Sequence, residues 1–498
     1  TIPLTIAEAD GVAGITWPDS IDAGWDTALL GVQVSAGADT VAPYIEIAAG
    51  GISDRQYFAP GDSGLRWVNL SSVRGTAAGT RIALRADGVT FATREASLRI
   101  FAGSPDLTKS ILVLAPHPDD AEIAAFGVYA NRRASVVTVT AGNAGAPTYE
   151  AVFDDPGELY LFKGRIRLID SITIPLQGGI PPDRTFNMGY FDARLAEMYD
   201  KRDATIPEMY RANSDINVYR RENVGSLLPK RARESKWSHL VDDTLALLKK
   251  VKPEVIVAPH PQLDTHRDHQ FTTVALSEAL ERWNRRVTLL LYTNHADRNR
   301  YPYGPAGTLM SLPPPPAADV FVDRVYSHPV PPALQRLKLF ALESMHDLRY
   351  TPTRQYQFAR PDARTIVPEK IGPEPDITYL RRAPRSNELF YVYDTDSFGT
   401  MIETFLAGRR VADNANTKIT KGQPKAGHKA TRSQRVTGAL RRARTACEQH
   451  RRGEQQRRYT RLFLPPPQMA PGDVAVWIRQ CLQIRRPGSS QLPSSVLL

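Results

Sequence analysis

Two short segments concentrate the side chains that could do chemistry. His117-Pro118-Asp119-Asp120-Ala121-Glu122 follows the apolar run Ile111-Leu112-Val113-Leu114, and the stretch from His260 to His269, with Asp264, His266 and Asp268 inside it, follows Val255-Ile256-Val257. Imidazole plus carboxylate, with no cysteine nearby, is a ligand set for a catalytic zinc or a similar divalent cation. His117 and Asp120 stand three residues apart at a strand-to-helix turn, so both can converge on one point while Asp119 faces elsewhere in the cleft. His266 and His269 share that spacing and are neighbours on a helical turn. Three protein ligands plus a water form the open geometry of a catalytic zinc. Two such clusters, each closing an apolar strand, read as the centre of a metallohydrolase.

Those clusters need a scaffold that brings strand ends together. In an open α/β sheet the carboxyl ends of parallel strands border the ligand crevice. Periodicity predicts strand 111–115, a helix from Ala121 to Arg132, strand 134–140 and a turn at Ala141-Gly142-Asn143-Ala144-Gly145. Lys163 to Ile174 begins helical and turns more β-like. Leu240, Leu247, Leu248 and Val251 repeat on a helical period across 238–251, ahead of strand 254–258, a helix from Phe271 to Trp283 and strand 287–292. Strands alternating with helices predict a Rossmann-like, mostly parallel sheet.

Residues 1–105 have a different texture. Short β-type runs at 29–34, 44–47, 65–70, 80–84, 89–93 and 96–101 alternate with turns such as Gly50-Gly51 and Asp87-Gly88. This spacing predicts an antiparallel, sandwich-like accessory domain. Glycan binding and plain spacing both remain open as its role. The α/β domain then spans 106–413, with a charge-dense, partly helical insertion near 193–237. A second insertion near 301–333, an extended loop, carries Pro313 to Pro316 and Pro329 to Pro332.

The chain has 498 residues, 42% apolar and 23% charged, which suits a soluble protein of two or three domains. No run approaches the length of a transmembrane span. No basic region followed by an apolar core opens the chain, so the expected location is cytoplasmic; a leader already removed is the alternative, because Thr1 is not a Met. The net charge of +10 is unevenly spread: from Asn414 onward about 17 Lys and Arg face about 3 Asp and Glu, which leaves the body mildly acidic. Both cysteines, Cys447 and Cys481, fall in this basic tail, so no disulfide framework is implied. Residues 414–498 read as disordered or foreign to the fold; contact with an anionic surface is the alternative. No nucleic-acid motif accompanies the basic charge, so no specific nucleic-acid partner is expected.

His117-Pro118-Asp119-Asp120-Ala121-Glu122-Ile123, paired with His266-Arg267-Asp268-His269, resembles the PIG-L/LmbE-like zinc-dependent N-deacetylases over roughly 111–295, with weaker similarity to about 395. The resemblance implies one zinc per chain held by His117, Asp120 and His269. It implies Asp119 as general base and His266 as general acid or oxyanion stabiliser, oriented by Asp268. Asp192, in Tyr190-Phe191-Asp192, would touch sugar hydroxyls, and Arg165 would stand at the pocket edge. The implied reaction removes acetyl from an N-acetylglucosamine-type sugar in a glycan or glycoconjugate, releasing acetate and a free amine. A bacterial cell-envelope saccharide is the expected substrate. Another acylated amine, or a saccharide- or nucleic-acid-binding protein with a vestigial site, are the alternatives.

Two departures stand out. Gly142-Asn143-Ala144-Gly145 lacks the Glu usual in that turn, and Phe126-Gly127 replaces a glycine pair. Asp264 either fixes its turn or binds a substrate hydroxyl. Asp120 also suits a helix N-cap without any metal, and Glu122 would support the ligand shell or cap the helix. His260 is expected to be a hydrogen-bonded structural histidine, and His239, His295, His328 and His346 to be structural or surface residues.

Overall fold

Alternating apolar and polar residues build the N-terminal region as two antiparallel sheets. The computed structural model describes residues 1–21, 24–38, 42–150, 152–229, 233–314, 324–346 and 379–421, without the side chains of 298, 379 and 410–421. The strands are β1 (Ile2–Thr5), β2 (Ala7–Ala9), β3 (Val12–Thr16), β4 (Trp25–Ala36), β5 (Tyr44–Ala49), β6 (Ile52–Tyr57), β7 (Ser63–Asn69), β8 (Arg81–Asp87) and β9 (Val89–Ala102). They form sheets of order β1-β9-β4-β7 and β2-β3-β8-β5-β6. Leu30, Val32, Val34, Val68 and Leu98 from one and Ile45, Ile47, Ile82 and Leu84 from the other share one core. The separate strands expected at 89–93 and 96–101 are a single strand: β9 stays paired to β4 through a register shift opposite Val32 and Val34.

The second texture follows at β10 (Ile111–Ala115), with β11 (Ala134–Thr140), β12 (Thr185–Tyr190), β13 (Val255–Pro259), β14 (Thr288–Tyr292), β15 (Val325–Pro329) and β16 (Asn387–Asp394). They make a seven-stranded sheet of order β12-β11-β10-β13-β14-β16-β15. The first five strands are parallel, and β16 and β15 close one edge antiparallel. The parallel strands are almost wholly buried because helices cover both faces. These helices are α1 (Asp120–Tyr129), α2 (Pro156–Thr173), α3 (Leu195–Asp200), α4 (Asn217–Arg220), α5 (Trp237–Val251), α6 (Arg267–Trp283) and α7 (Pro332–Glu343), with α8 (Tyr379–Arg382) and α9 (Thr395–Lys421) further on.

From β10 the chain runs to β11 and β12 on one side, then returns to β13 and β14 on the other. The strand order therefore reverses between β10 and β13, the two strands that carry the motifs, and that is where ligands bind in such sheets. Residues 163–174, undecided in the sequence, lie almost entirely in α2. The 301–333 insertion is not loop throughout, because β15 pairs with β16; residues 315–323 lie outside the described residues. The Thr1–Asn414 unit is compact in itself, and Ala415–Leu498 is a separate unit. The basic tail lies outside the described residues from 422 onward, both cysteines included. No helix among the described residues is long and apolar enough to cross a membrane.

Helix α1, which starts at the first motif, is broken at Ala125 (φ −139°, ψ 16°). A buried ion pair takes up the released backbone groups. Lys338 Nζ donates to Ile123 O at 2.8 Å and to Glu388 Oε1 at 2.8 Å. The Glu388 carboxylate accepts the N–H groups of Gly127 (2.8 Å) and Val128 (3.1 Å). Position 127 is glycine because a Cβ there would meet Val330 at 2.9 Å and Glu388 at 3.0 Å. Both charges are 1% exposed. Glu388→Ala should therefore strand a buried ammonium and two N–H groups and cost about 3–5 kcal/mol. Denaturant unfolding of the full chain checks this, and a loss under about 1 kcal/mol, the level of a surface pair, would contradict it.

Candidate metal centre

Five strand ends supply the site. β10 delivers His117, Asp119 and Asp120, β11 delivers Asn143, and β12 delivers Asp192. The end of β13 delivers Asp264, His266, Asp268 and His269, and β14 delivers Asn294 and His295. His117 Nδ1 lies 3.2 Å from Asp120 Oδ2 and 3.2 Å from His269 Nε2, and His269 Nε2 lies 3.1 Å from Asp120 Oδ2. These three atoms thus form a nearly equilateral triangle. Its edges suit three ligands each ~2.0–2.1 Å from one cation, so the donor set fits a divalent metal.

The atoms behind the triangle fix its orientation. Asp264, wholly buried, accepts at Oδ2 from His269 Nδ1 (2.9 Å), Asn294 N (2.9 Å) and His295 N (3.1 Å), and at Oδ1 from His266 N (2.9 Å). Asn294 Nδ2 in turn donates to Asp120 Oδ1 at 2.7 Å. The Nε2 of His117 faces Asp192 Oδ1 at 3.2 Å and Asp268 Oδ2 at 3.3 Å. Asn143 holds Asp192 by accepting its N–H at 3.0 Å and donates to Glu208 at 3.1 Å. Carboxylates behind imidazoles set the tautomer and raise ligand basicity.

Charge follows the same plan. Burial alone would lower His269, but Asp120 and Asp264 overcome it and push the imidazole up to about 9. His117 is likewise raised, against burial, by Asp192, Asp120 and Asp268. Asp120 lies well below the usual carboxylate range: burial opposes this, and His269 and His117 prevail. Asp119 moves the other way, because burial outweighs the pull of Arg167. His266 falls to about 3, first through burial and then through the neighbouring imidazoles of His117, His269 and His295. Carboxylates crowding a buried spot attract positive charge, whether proton or metal.

Several expected positions change. Arg165 is no pocket-edge residue: it is half exposed and pairs with Glu222 at 2.8 Å. Two residues on, about 200° around the helix, Arg167 is buried and donates to Asp119 Oδ1 at 3.1 Å. Asp264 is no sugar ligand, since its oxygens are committed to the four groups named above. The Asp268 side chain faces His117 rather than His266 and accepts from Ala193 N (2.6 Å) and Leu195 N (3.1 Å); only its backbone N–H reaches His266 Nδ1, at 3.2 Å. Asp192 meets His117 and is almost buried. Asp119, at the N-cap of α1, makes no capping bond. Glu122 accepts from Tyr129 Oη at 2.9 Å, away from the triangle. His260 is buried and bonds Tyr393 Oη at 3.1 Å. His295 is not a bystander: its ring centroid lies 4.6 Å from that of His269 and 5.1 Å from that of His266. Of the residues that sequence reasoning missed, Arg167 had a signal in the helical phase of 163–174, whereas Asn294 and His295 sit in no motif.

Fold and site together define an α/β protein with a His/Asp cluster, at the switch point of its sheet, that could hold a metal ion. Residues 112–280 match the PIG-L family model, described as GlcNAc-PI de-N-acetylase, consistent with the resemblance that the motifs carry. No curated protein matches the chain. Among solved structures, GalB, the 4-carboxy-2-hydroxymuconate hydratase of Pseudomonas putida KT2440, is 12% identical, with 57% of this chain and 95% of that chain covered and a TM-score of 0.26. The acetyl xylan esterase Est2A of Butyrivibrio proteoclasticus is 11% identical, covering 57% and 79%, with a TM-score of 0.14. A family two carbohydrate esterase of Cellvibrio japonicus is 12% identical, covering 59% and 86%, with a TM-score of 0.15. Likenesses this distant carry no weight for function.

Asp264→Asn removes the charge behind His269 while keeping its size. We expect metal affinity, measured by competition with a chromogenic chelator, to fall roughly 10–100-fold. An unchanged affinity would separate Asp264 from the metal centre.

Proposed function

We propose that the chain is a metal-dependent N-deacetylase that hydrolyses the acetamido group of an N-acetylglucosamine-type sugar, with residues 106–413 as catalytic domain and 1–105 as accessory domain. The observation that carries this reading is the triangle of His117, Asp120 and His269 with a further carboxylate, Asp119, held outside it by Arg167. The match of residues 112–280 to a de-N-acetylase family supports the reaction type. Zinc is our choice of metal from the N/O ligand set, one per chain.

A bound divalent cation would supply the Lewis acidity that activates water and polarises the amide carbonyl. The protein's own groups do the rest. Asp119 takes the proton of the attacking water; burial raises its basicity, and Arg167 fixes its Oδ1 so that the carboxylate cannot swing into the triangle. His266 is a neutral donor in our reading. Its Nδ1 accepts the N–H of Asp268, which leaves the proton on Nε2. That N–H can stabilise the oxyanion as it develops, and the proton that Asp119 has taken from the water passes to the departing amine. This replaces the imidazolium that the motif alone would suggest.

The test is acetate release from N-acetylated chitooligosaccharides by the metal-loaded protein. Asp119→Ala should cut kcat about 10²–10⁴-fold with metal content unchanged. Equal rates in the variant and the wild type would remove Asp119 as proton acceptor. Loss of activity together with loss of metal would make it a ligand instead.

A further inference from the structure

The cluster contains four imidazoles, and their hydrogen bonds sort them by what they present. An imidazole that ligates through one nitrogen normally donates the N–H of the other to an oxygen. His269 satisfies this through Nδ1 and Asp264 Oδ2 at 2.9 Å, and His117 through Nε2 and its two carboxylates. His266 does not, because its Nδ1 receives an N–H at 3.2 Å. His295 follows the ligand pattern: its Nδ1 lies 2.9 Å from Asn299 Oδ1, an acceptor, so the proton sits on Nδ1 and the lone pair on Nε2.

Placement leaves both rings eligible, since donor atoms of His266, His117 and His269 lie within 4.8 Å of one another, and the hydrogen bonds make the choice. Donor atoms of His295, Asp120 and His269 lie within 4.8 Å of one another. The backbone of His295 is held by the residues that hold His269. Its N–H goes to Asp264 Oδ2 at 3.1 Å, and its carbonyl accepts from Thr265 N and Thr265 Oγ1, both at 2.9 Å. The residue before it, Asn294, bonds Asp120 at 2.7 Å. A half-buried imidazole is thus carried on the same rigid frame as two of the three triangle atoms.

We propose that His295 is a fourth metal-directed ligand, completing the set His117, Asp120, His269 and His295, while His266 serves as hydrogen-bond donor and never as ligand. The proposal rests on the metal-centre reading above and reaches past residue 280, where the family match ends. Zinc accommodates five ligands as well as four, so a water can still bind beside four side chains.

Cobalt(II) provides the test, because its visible d–d bands report ligand number and type without turnover. The full-length protein, stripped of metal, is titrated with Co²⁺ as wild type, His295→Ala, Asn299→Ala and His266→Ala, each checked for an unchanged far-UV spectrum without metal. We expect His295→Ala to weaken Co²⁺ binding roughly 10–100-fold and to alter the band pattern. Asn299→Ala, which keeps the ring but removes its acceptor, should weaken binding less, and His266→Ala should change neither affinity nor spectrum. Wild-type affinity and bands in both His295→Ala and Asn299→Ala would overturn the proposal. Failure of the wild type to bind Co²⁺ at all would overturn the metal centre itself, and this ligand with it.

Discussion

The carboxylate of Asp264 ties the site together. It is buried at the end of β13, and its two oxygens gather the N–H groups of His266, Asn294 and His295 and the ring of His269. That cluster joins the ends of two neighbouring strands, β13 and β14, into one frame. Through Asn294 the frame reaches Asp120 on β10. A buried carboxylate is costly unless its lone pairs are filled, so the residues around Asp264 are held by the penalty of leaving it bare. The positions of the surrounding imidazoles and of Asp120 follow from that requirement.

Around this frame the fold solves an electrostatic problem. Five carboxylates, Asp119, Asp120, Asp192, Asp264 and Asp268, crowd four imidazoles and Arg167 in a region where strands turn outward. Such a concentration of acid calls for positive charge, and the raised His117 and His269 show the protein drawing protons toward it. A divalent ion would answer the same demand where His117, Asp120 and His269 converge. Asp119 differs from the others because its partner is a guanidinium, which leaves it outside the triangle and near it.

Much of this was legible in the sequence, and the reasons are physical. Apolar runs such as Ile111 to Leu114 and Val255 to Val257 can only be buried strands, and a polar cluster after each must lie at the sheet's carboxyl edge. The pair of three-residue spacings then marked both clusters, and the family resemblance singled out His117, Asp120 and His269 within them. What escaped depended on phase and on isolation. Arg165 and Arg167 are equally basic and two residues apart, and only packing against the sheet decides which one turns inward. Asp264 and Asp268 looked alike as motif acids, yet one backs His269 and the other His117, a choice made by tertiary contacts. His295 and Asn294 belong to no spacing pattern; strand pairing between β13 and β14 brings them in. The edge strand β15 was hidden by the prolines around it.

The most direct test of the central claim is acetate release by the full-length protein from an N-acetylated glucosamine oligosaccharide, before chelation, after complete metal removal and after titration with Zn²⁺. The account predicts that release stops on stripping and returns in proportion to added metal, reaching its plateau at one equivalent per chain. Release that continues in the stripped protein, or a fully loaded protein that frees no acetate from any amino sugar, would contradict it.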